Sequence, residues 1–402
     1  MKINNLFSFI FVLTAAAELA IGRIYDERLS FLGFNLSILL SFVFLLFSII
    51  FIFSTKKIIL DKSKILLISF FLVLLIMNPI LWTIYGAFEY GVIKFFNFLL
   101  ISIPLSFIII EKLKYDDIKN LFLILLGLSF LLLFLAITGL FDTPRADGRI
   151  SILGGGPIIF GRWMGFGVLA LFFMPIQKKI TIRIIAISAF IIYCLISGSR
   201  GPFTALLICF LLFFFLNFRK VFFKSIILFF VISCVFIATN ISNDISELGR
   251  TDRVFLNVAK KGGSNQSTQT RYELIDRSLD LMIRYPLGIG AGNWQIKANE
   301  YSPTHLMAHE YPHNLIFEVI NEYGIFAGLF LILFILKISF ASFAKMINYK
   351  NNKSSLYPFL FYLWCFLIVN AMVSGSLNDS RLLLVVASCV MIHKPLLLKL
   401  DE

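Results

Sequence analysis

Long apolar stretches separated by shorter polar ones make up most of this chain. A transmembrane helix needs roughly 20 mostly apolar residues, and by that measure the pattern predicts about twelve spans. We place them at residues 5–22, 31–54, 65–84, 91–110, 120–141, 151–175, 181–197, 202–217, 222–239, 314–340, 356–374 and 381–398. The fold class that follows is an all-α polytopic membrane protein.

The predicted spans divide the chain into four parts. Residues 1–141 hold the N-terminal transmembrane helices, and residues 142–239 hold the central ones. Residues 240–312 form the one long hydrophilic segment, and residues 313–402 hold the C-terminal transmembrane helices. Between residues 271 and 284 of the hydrophilic segment, apolar residues recur at helical spacing, which predicts an amphipathic helix.

Three arginines of this amphipathic helix differ in their predicted surroundings. The apolar stripe consists of Tyr272, Leu274, Ile275, Leu279, Leu281, Met282 and Ile283. Arg271 falls in the middle of that stripe, one turn before Ile275. A cation placed there needs a buried anion. Arg277 and Arg284 fall on the opposite face, where we expect them to be solvated.

The stretch 311–328 changes from polar loop to apolar helix while carrying titratable groups. Pro312 favours a helix N-terminus, so we expect His313 and Asn314 to open a helix. At about 100° per residue, one face of that helix carries Asn314, Glu318, Asn321 and Glu322. An acid within a membrane span is a functional hypothesis by default.

Composition supports a membrane protein and excludes an ordinary soluble one, because 59% of the residues are hydrophobic, only 15% are charged and the mean hydropathy is +0.90. Lysines concentrate in alternate loops, which predicts that both termini are cytoplasmic. The net charge of +13 follows from this topology, so it gives no support for nucleic-acid binding. Glu18 interrupts the first span, which argues against a cleaved signal peptide. All five cysteines lie in apolar spans, where we expect packing residues and no disulfide framework.

Arginines show the opposite bias to the lysines. The outer loops and nearby span ends carry Arg23, Arg28, Arg145, Arg149, Arg162, Arg200, Arg250, Arg253, Arg271, Arg277, Arg284 and Arg381. Because guanidinium binds phosphate bidentately and tolerates partial burial, we infer an outward-facing site for a phosphorylated ligand. The turn Ser197-Gly198-Ser199-Arg200-Gly201-Pro202 places Arg200 beside a helix N-terminus, and both attract anions.

Two features leave alternatives open. The glycines and proline at residues 154–157 suit either a broken, re-entrant start to the sixth span or close helix packing through small residues. Glu18 and Lys94 suit either an intramembrane ion pair or snorkelling to the span ends. The glycine-rich run 286–292 follows a helix and opens no βαβ unit, so we interpret it as a tight return toward the membrane.

Histidines at positions 305, 309 and 313 have a spacing of four, which is compatible with zinc ligands on one helix face. Pro303 and Pro312 interrupt that helix, however, and no cysteine or nearby aspartate completes a ligand set. We therefore expect no metal and no other cofactor. His313 stands at the membrane boundary beside the inferred anion site, where a general base is the better interpretation.

Three motifs in order resemble the O-antigen ligase and polymerase superfamily of membrane glycosyltransferases. They are Ser197-Gly198-Ser199-Arg200-Gly201 before a span, Arg271 leading into Pro286-Leu287-Gly288-Ile289-Gly290, and His313-Asn314 leading into Glu322-Tyr323-Gly324. With the long outer loop and the predicted spans, the resemblance covers nearly the whole chain. One departure is visible, because the small residue that closes the family pattern is Ala327 here, with Gly328 one place later.

The resemblance implies a GT-C-like fold and a metal-independent, inverting transfer of glycan from polyprenyl diphosphate at the periplasmic face of the bacterial inner membrane. By match, Arg200 and Arg271 would stabilise the diphosphate leaving group, and His313 would take the proton from the acceptor hydroxyl. Candidate substrate-binding residues around them are Arg145, Arg162, Asn314, Glu318 and Glu322. Either glutamate is also a candidate for orienting His313.

The acceptor distinguishes the activities that the resemblance allows. A polymerase joins a growing glycan to the next undecaprenyl-diphosphate-linked repeat unit, whereas a ligase transfers finished glycan to lipid A-core. Residues 311–314 and the departure at Ala327 favour a polymerase. Membrane lipid, a chain-length regulator and a flippase are the further partners implied. A transporter of lipid-linked oligosaccharide is the alternative of another class, although no internal repeat supports it.

Overall fold

The computed structural model describes residues 3–21, 30–31, 34–53, 62–141, 150–153, 155–176, 180–217, 263–300, 311–352 and 354–392. The helices within these ranges are α1 (Ile3–Ile21), α2 (Leu36–Phe53), α3 (Lys62–Tyr85), α4 (Glu89–Asn97), α5 (Ile103–Glu111), α6 (Tyr115–Thr138), α7 (Gly156–Phe173), α8 (Ile180–Ile196), α9 (Arg200–Asn217), α10 (Gly263–Arg284), α11 (Trp294–Glu300), α12 (Leu315–Tyr323), α13 (Ile325–Tyr349), α14 (Tyr357–Ser374) and α15 (Arg381–Met391). A π-helical stretch, Phe98–Ser102, joins α4 to α5. A short antiparallel pair, β1 (Ser30–Phe31) with β2 (Phe34–Asn35), precedes α2.

Helix length and composition confirm an all-α polytopic membrane protein. Among the described residues, 7 helical segments are long and apolar enough to cross a membrane. Three shorter apolar helices, Ser8–Ala20, Ile38–Ile50 and Ile180–Ile196, coincide with predicted spans as well. The predicted span at 222–239 lies outside the described residues.

The span predicted at 314–340 is wrong as one continuous helix, because the chain breaks at Gly324 between α12 and α13. Gly324 has φ +91° and ψ 167°, a conformation that only glycine adopts readily. A Cβ at this position would lie 2.6 Å from the Leu287 carbonyl oxygen. The amide of Ile325 donates to the Pro286 carbonyl at 2.9 Å, so the 286–292 segment enters the break.

Small residues let α7 pack closely against its neighbours. A Cβ on Gly165 would lie 2.4 Å from the Phe366 ring, and one on Gly167 would lie 2.7 Å from the Phe190 ring. The helix itself runs without interruption from Gly156, which has φ +74°. Close packing through small residues is therefore present in α7 at Gly165 and Gly167 but not at Gly156, where an added Cβ would meet no atom within 4 Å. No break occurs between Gly156 and Phe173.

Cations cap several helix C-termini at one end of the bundle. Lys345 Nζ donates to the carbonyls of Val390 at 2.7 Å and Ile392 at 2.9 Å, beyond the end of α15. Lys350 Nζ reaches the Leu216 carbonyl of α9 at 3.2 Å. Arg183 bonds the carbonyls of Leu171 and Met174 at the end of α7. These cations complement the negative ends of the helix dipoles, and they lie on the side for which the loop lysines predict a cytoplasmic location.

The amphipathic helix α10 buries a narrower stripe than its sequence predicts. Leu274 and Leu281 are 1% exposed, whereas Tyr272 is 66% and Ile283 76% exposed. The expectation that Arg277 is solvated is wrong, because this residue is only 9% exposed. The buried stripe follows a spacing of three to four residues through Leu274, Ser278 and Leu281, and the half-buried Arg271 continues it one turn earlier.

Candidate functional site

The C-terminal end of α14 joins several of the residues that the sequence singles out. Its carbonyls lack partners within the helix and accept side-chain donors instead. Arg162 Nη2, from α7, donates to the Ser374 carbonyl at 2.9 Å and to Ser374 Oγ at 3.1 Å. The Tyr311 hydroxyl donates to the same carbonyl at 3.3 Å, and Asn314 Nδ2 donates to the Met372 carbonyl at 3.0 Å. We call this end of the bundle the site end.

Asn314 is the N-cap of α12, as the sequence predicts for a helix opened by His313 and Asn314. Its Oδ1 accepts from the amides of Ile316 at 3.0 Å and Phe317 at 3.2 Å. Because its Nδ2 bonds Met372 at the same time, one side chain both starts α12 and ties it to α14. These bonds give Asn314 a structural role; its predicted contact with substrate stays a prediction.

His313 lies immediately before this cap in a left-handed conformation, with φ +54°. Such a conformation is uncommon for a residue other than glycine and is enriched where function constrains the backbone. The imidazole packs on the Tyr311 ring with centroids 4.2 Å apart. Burial lowers the pKa of His313 to about 4, and the positive charges of Arg271 and Arg162 act in the same direction. His313 is therefore a neutral imidazole at neutral pH.

Arg271 reaches this group from α10, where it occupies the half-buried continuation of the helix's packed stripe. Its charge acts on His313 together with that of Arg162, so two guanidinium groups on different helices act on one imidazole. Positive charge converging from separate elements favours an anionic ligand. The structure thus brings His313, Arg271 and Arg162 together, although the sequence separates Arg162 widely from the other two.

Arg200 begins α9 at the same end of the bundle. Gly198, at φ +66°, makes the tight turn after α8, and the Ser199 amide donates to Ser197 Oγ at 3.3 Å. A Cβ on Gly201 would lie 3.7 Å from Ser374 Oγ, so the first turn of α9 packs against the carbonyl end that holds Arg162. Arg200 itself is exposed, beside a helix N-terminus that favours anions.

Glu318 and Glu322 lie in a buried cluster with Lys94 of α4. Lys94 Nζ pairs with Glu318, and it pairs with Glu322 Oε2 at 2.5 Å. The two carboxylates are 0% and 1% exposed. The Glu18–Lys94 pair is wrong, because Glu18 instead bonds Arg381 Nη1 at 2.8 Å and accepts from Ser41 at 3.0 Å. Snorkelling is wrong as well, since both Glu18 and Lys94 are buried.

The segment 286–292 returns toward the bundle, as its glycines predict. The amides of Ile289 and Gly290 donate to the carbonyls of Asn321 at 2.9 Å and Glu322 at 2.8 Å. Two side chains of α3 bind the backbone of Ala291. The Ala291 amide donates to Asn78 Oδ1 at 2.7 Å, and Trp82 Nε1 donates to the Ala291 carbonyl at 3.2 Å.

A close glycine contact lets this segment dock on α4. A Cβ on Gly91 would lie 2.0 Å from the Ala291 carbonyl oxygen. Sequence reasoning singled out Lys94 but assigned it the wrong partner, and it missed Asn78 and this glycine contact. A lysine, an asparagine and a glycine within otherwise apolar spans were the available signal.

The structure does not describe every residue that the sequence singles out. Arg145, His305 and His309 lie outside the described residues. Within the part of the chain that is described, no group of three histidine, cysteine, aspartate or glutamate side chains is placed to hold a metal ion. The described cysteines, Cys194, Cys209, Cys365 and Cys389, are free thiols.

Comparison with known proteins adds to this geometry. Residues 184–332 match a family model described as O-antigen ligase. The matched range includes the Arg200 turn, α10 with Arg271, the 286–292 return, and His313 with α12. No curated protein matches the chain. The match over residues 184–332 confirms that this membrane protein resembles the O-antigen ligase and polymerase superfamily.

Proposed function

We propose that this protein is an O-antigen polymerase, a glycosyltransferase that joins polyprenyl-diphosphate-linked oligosaccharide repeat units at the periplasmic face of the inner membrane. The observation that carries the proposal is the neutral imidazole of His313 flanked by the guanidinium groups of Arg271 and Arg162. A base beside paired cations suits an acceptor hydroxyl attacking a carbon whose leaving group is a diphosphate.

In the proposed step, the acceptor oxygen forms a bond to the anomeric carbon from the face opposite the leaving group, which inverts that centre. The bond from the anomeric carbon to the diphosphate oxygen breaks, and the electron pair leaves with polyprenyl diphosphate. His313 takes the hydroxyl proton. Arg271 and Arg200 stabilise the charge that develops on the diphosphate, and Arg162 contributes to the same field. No metal or nucleotide sugar takes part in this scheme.

The low pKa of His313 suits this scheme once the donor is bound. An imidazole with a pKa of about 4 is neutral but weakly basic. A diphosphate beside Arg271 and Arg162 offsets the positive charge that disfavours protonation, so binding the donor raises the pKa of His313. The base therefore becomes stronger when its substrate is in place.

A ligase is the second candidate, because the matched family model is described as O-antigen ligase. The same donor chemistry serves both activities, and only the acceptor differs. The sequence around residues 311–314 and the alanine at position 327 favour the polymerase.

A genetic test separates the two. Arg200→Ala, Arg271→Ala and His313→Ala are expressed in a strain lacking this protein, and surface glycan and lipid-linked intermediates are resolved by gel at matched membrane levels. Arg284→Ala, an exposed arginine on the same helix as Arg271, is the control. If the protein is a polymerase, the three variants leave single repeat units on lipid A-core and lose the long chains.

Two other outcomes contradict the proposal. Long chains that accumulate on polyprenyl diphosphate above a bare core identify a ligase. Normal glycan in all three variants rules out the site, and transport of repeat units across the membrane is then the activity to assay.

A further inference from the structure

We propose that Lys94, Glu318 and Glu322 are positioning residues that hold His313, Arg271 and Arg162 in their mutual arrangement. This inference rests on the function proposed above. None of the three touches His313 in the described contacts, and Lys94 comes from a helix far from the others in sequence.

The cluster binds main-chain groups as well as itself. Lys94 Nζ pairs with both carboxylates, and each carboxylate uses its other oxygen on a backbone amide. Glu318 Oε2 accepts from Leu377 at 2.7 Å, and Glu322 Oε1 accepts from Gly292 at 3.0 Å. Asn378 Nδ2 donates to the Lys94 carbonyl at 3.2 Å. The cluster therefore joins α4 to α12, to the 286–292 return and to the segment after α14.

Each joined segment leads directly to one member of the candidate site. Glu318 lies in the first turn of α12, just after His313 and its capping neighbour Asn314. Leu377 closely follows Ser374, the residue that binds Arg162. Gly292 belongs to the return that follows α10, the helix of Arg271. The segments that carry His313, Arg162 and Arg271 are thus all bonded to the same buried cluster.

Burial makes this point rigid. The side chains of Lys94, Glu318 and Glu322 are 3%, 0% and 1% exposed. Separating them would leave charges away from both water and partners, which is strongly unfavourable. A transfer reaction needs such rigidity, because a misplacement of about 1 Å can lower the rate by about 10²-fold.

Glu318 offers a matched pair of variants. Glu318→Gln keeps an oxygen able to accept from the Leu377 amide, whereas Glu318→Ala removes it. Both leave Lys94 opposite Glu322 alone, so the remaining charges are balanced in each. Lys64→Met/Glu111→Gln is the control, since it removes another buried ion pair, of 2.6 Å, at the opposite end of α3 from the 286–292 return.

The readout is carbethoxylation of His313 by diethyl pyrocarbonate, followed on the His313 peptide by mass spectrometry in the full-length, detergent-purified protein. Only the neutral imidazole reacts. We define the labelling ratio as the carbethoxylation rate at pH 7.5 divided by the rate at pH 5.0. With a pKa of about 4, the labelling ratio is only about 1.1. If the pKa of His313 returned fully to the ordinary value of about 6.5, the labelling ratio would be about 30. The charges facing His313 in this titration are those of Arg271 and Arg162, with the Tyr311 ring against the imidazole.

Positioning predicts that Glu318→Ala raises the ratio to at least about 3, because α12 moves relative to the arginines, while Glu318→Gln and the Lys64 double variant stay near wild type. It also predicts that Glu318→Ala lowers kcat by about 10²-fold with a smaller change in KM. A ratio near 1 in folded Glu318→Ala overturns the proposal. An equal rise in both Glu318 variants overturns it as well.

If Glu318→Ala yields no folded protein, Glu322→Ala and Glu322→Gln replace the pair, because they cut or keep the Gly292 link in the same way. The labelling does not depend on turnover. Normal glycan in His313→Ala would therefore refute the proposed transferase activity and leave the positioning result intact. An unchanged labelling ratio in Glu318→Ala would refute positioning and leave the transferase proposal intact.

Discussion

Two groups of charged side chains lie at the site end of this protein, one fully buried and one half-buried, and their charges are arranged in opposite ways. In the Lys94 cluster, one ammonium lies between two carboxylates, and each carboxylate also accepts a hydrogen bond from a backbone amide. Around His313, both charges that act on the imidazole are positive. The first group pairs its charges within the protein and fixes geometry. The second concentrates positive potential around a neutral base, which favours an anionic ligand.

The backbone shows a related contrast at the two ends of α12. Gly324 ends the helix at φ +91°, where glycine avoids a steric cost. His313 precedes the helix at φ +54° without that freedom, a conformation that costs on the order of 1–3 kcal/mol. The protein therefore accepts strain at the candidate base and avoids it at the packing break.

Replacing the imidazole should give the largest effect and should separate catalysis from folding. Asparagine tolerates the left-handed conformation but cannot act as a base, so His313→Asn should lower the transfer rate by about 10²–10⁴-fold. The rate is measured on a lipid-linked donor, with the thermal unfolding midpoint of the same sample as the control for folding. A variant that retains near-normal turnover contradicts the role of His313.

Disturbing the Lys94 cluster should act on stability instead. Lys94→Met leaves two buried carboxylates without their cation, and we expect destabilisation by about 3–5 kcal/mol. The triple variant Lys94→Met/Glu318→Gln/Glu322→Gln removes the charge imbalance and should recover part of that loss. Both are measured by thermal unfolding in detergent.

Lys297→Ala is the matched control for a weaker ion pair. Its partner Glu300 is 41% exposed, so the expected cost is below about 1 kcal/mol. Equal losses in Lys94→Met and Lys297→Ala would contradict the contrast between a buried cluster and a surface pair.

A soluble prenyl diphosphate should change the titration of His313 without any turnover. Since an anion between the arginines favours the protonated imidazole, the pKa of His313 should rise from about 4 toward 5 or above. Carbethoxylation at pH 5.0 then becomes about twofold slower than at pH 7.5. Comparing the two rates corrects for a ligand that merely blocks access of the reagent, because such blocking acts at both pH values. Arg271→Ala should abolish the response, whereas Arg284→Ala should keep it.

The cap of α12 should give the smallest effect. Asn314→Ala removes the acceptor for the Ile316 and Phe317 amides and should cost about 1 kcal/mol of stability. Asn314→Ser keeps a capping oxygen and loses the bond to Met372, so the two variants separate the cap from the link to α14. Identical unfolding midpoints for both would show that the cap contributes nothing.

Hydropathy located most of the described helices because a bilayer requires long apolar segments with internally bonded backbones. It missed the break at Gly324, since glycine alone does not reveal that another segment enters there. It also misjudged Arg277, because helical periodicity gives the direction of a side chain but not how wide a face the neighbouring elements cover. The same periodicity placed Arg271 in line with the packed stripe, where the side chain is half-buried.

The sequence by itself determined the membrane class, the helix opened by His313 and Asn314, the tight turn before Arg200 and the family resemblance, because local chemistry and segment length decide each of these. Only the tertiary structure decided that Lys94 pairs with Glu318 and Glu322 and that Arg162 joins Arg271 beside His313. Buried charges take partners according to which helices pack side by side. In a bundle of similarly apolar helices, that neighbourhood depends on shape complementarity at small residues such as Gly91 and Gly165, which one-dimensional hydropathy does not record.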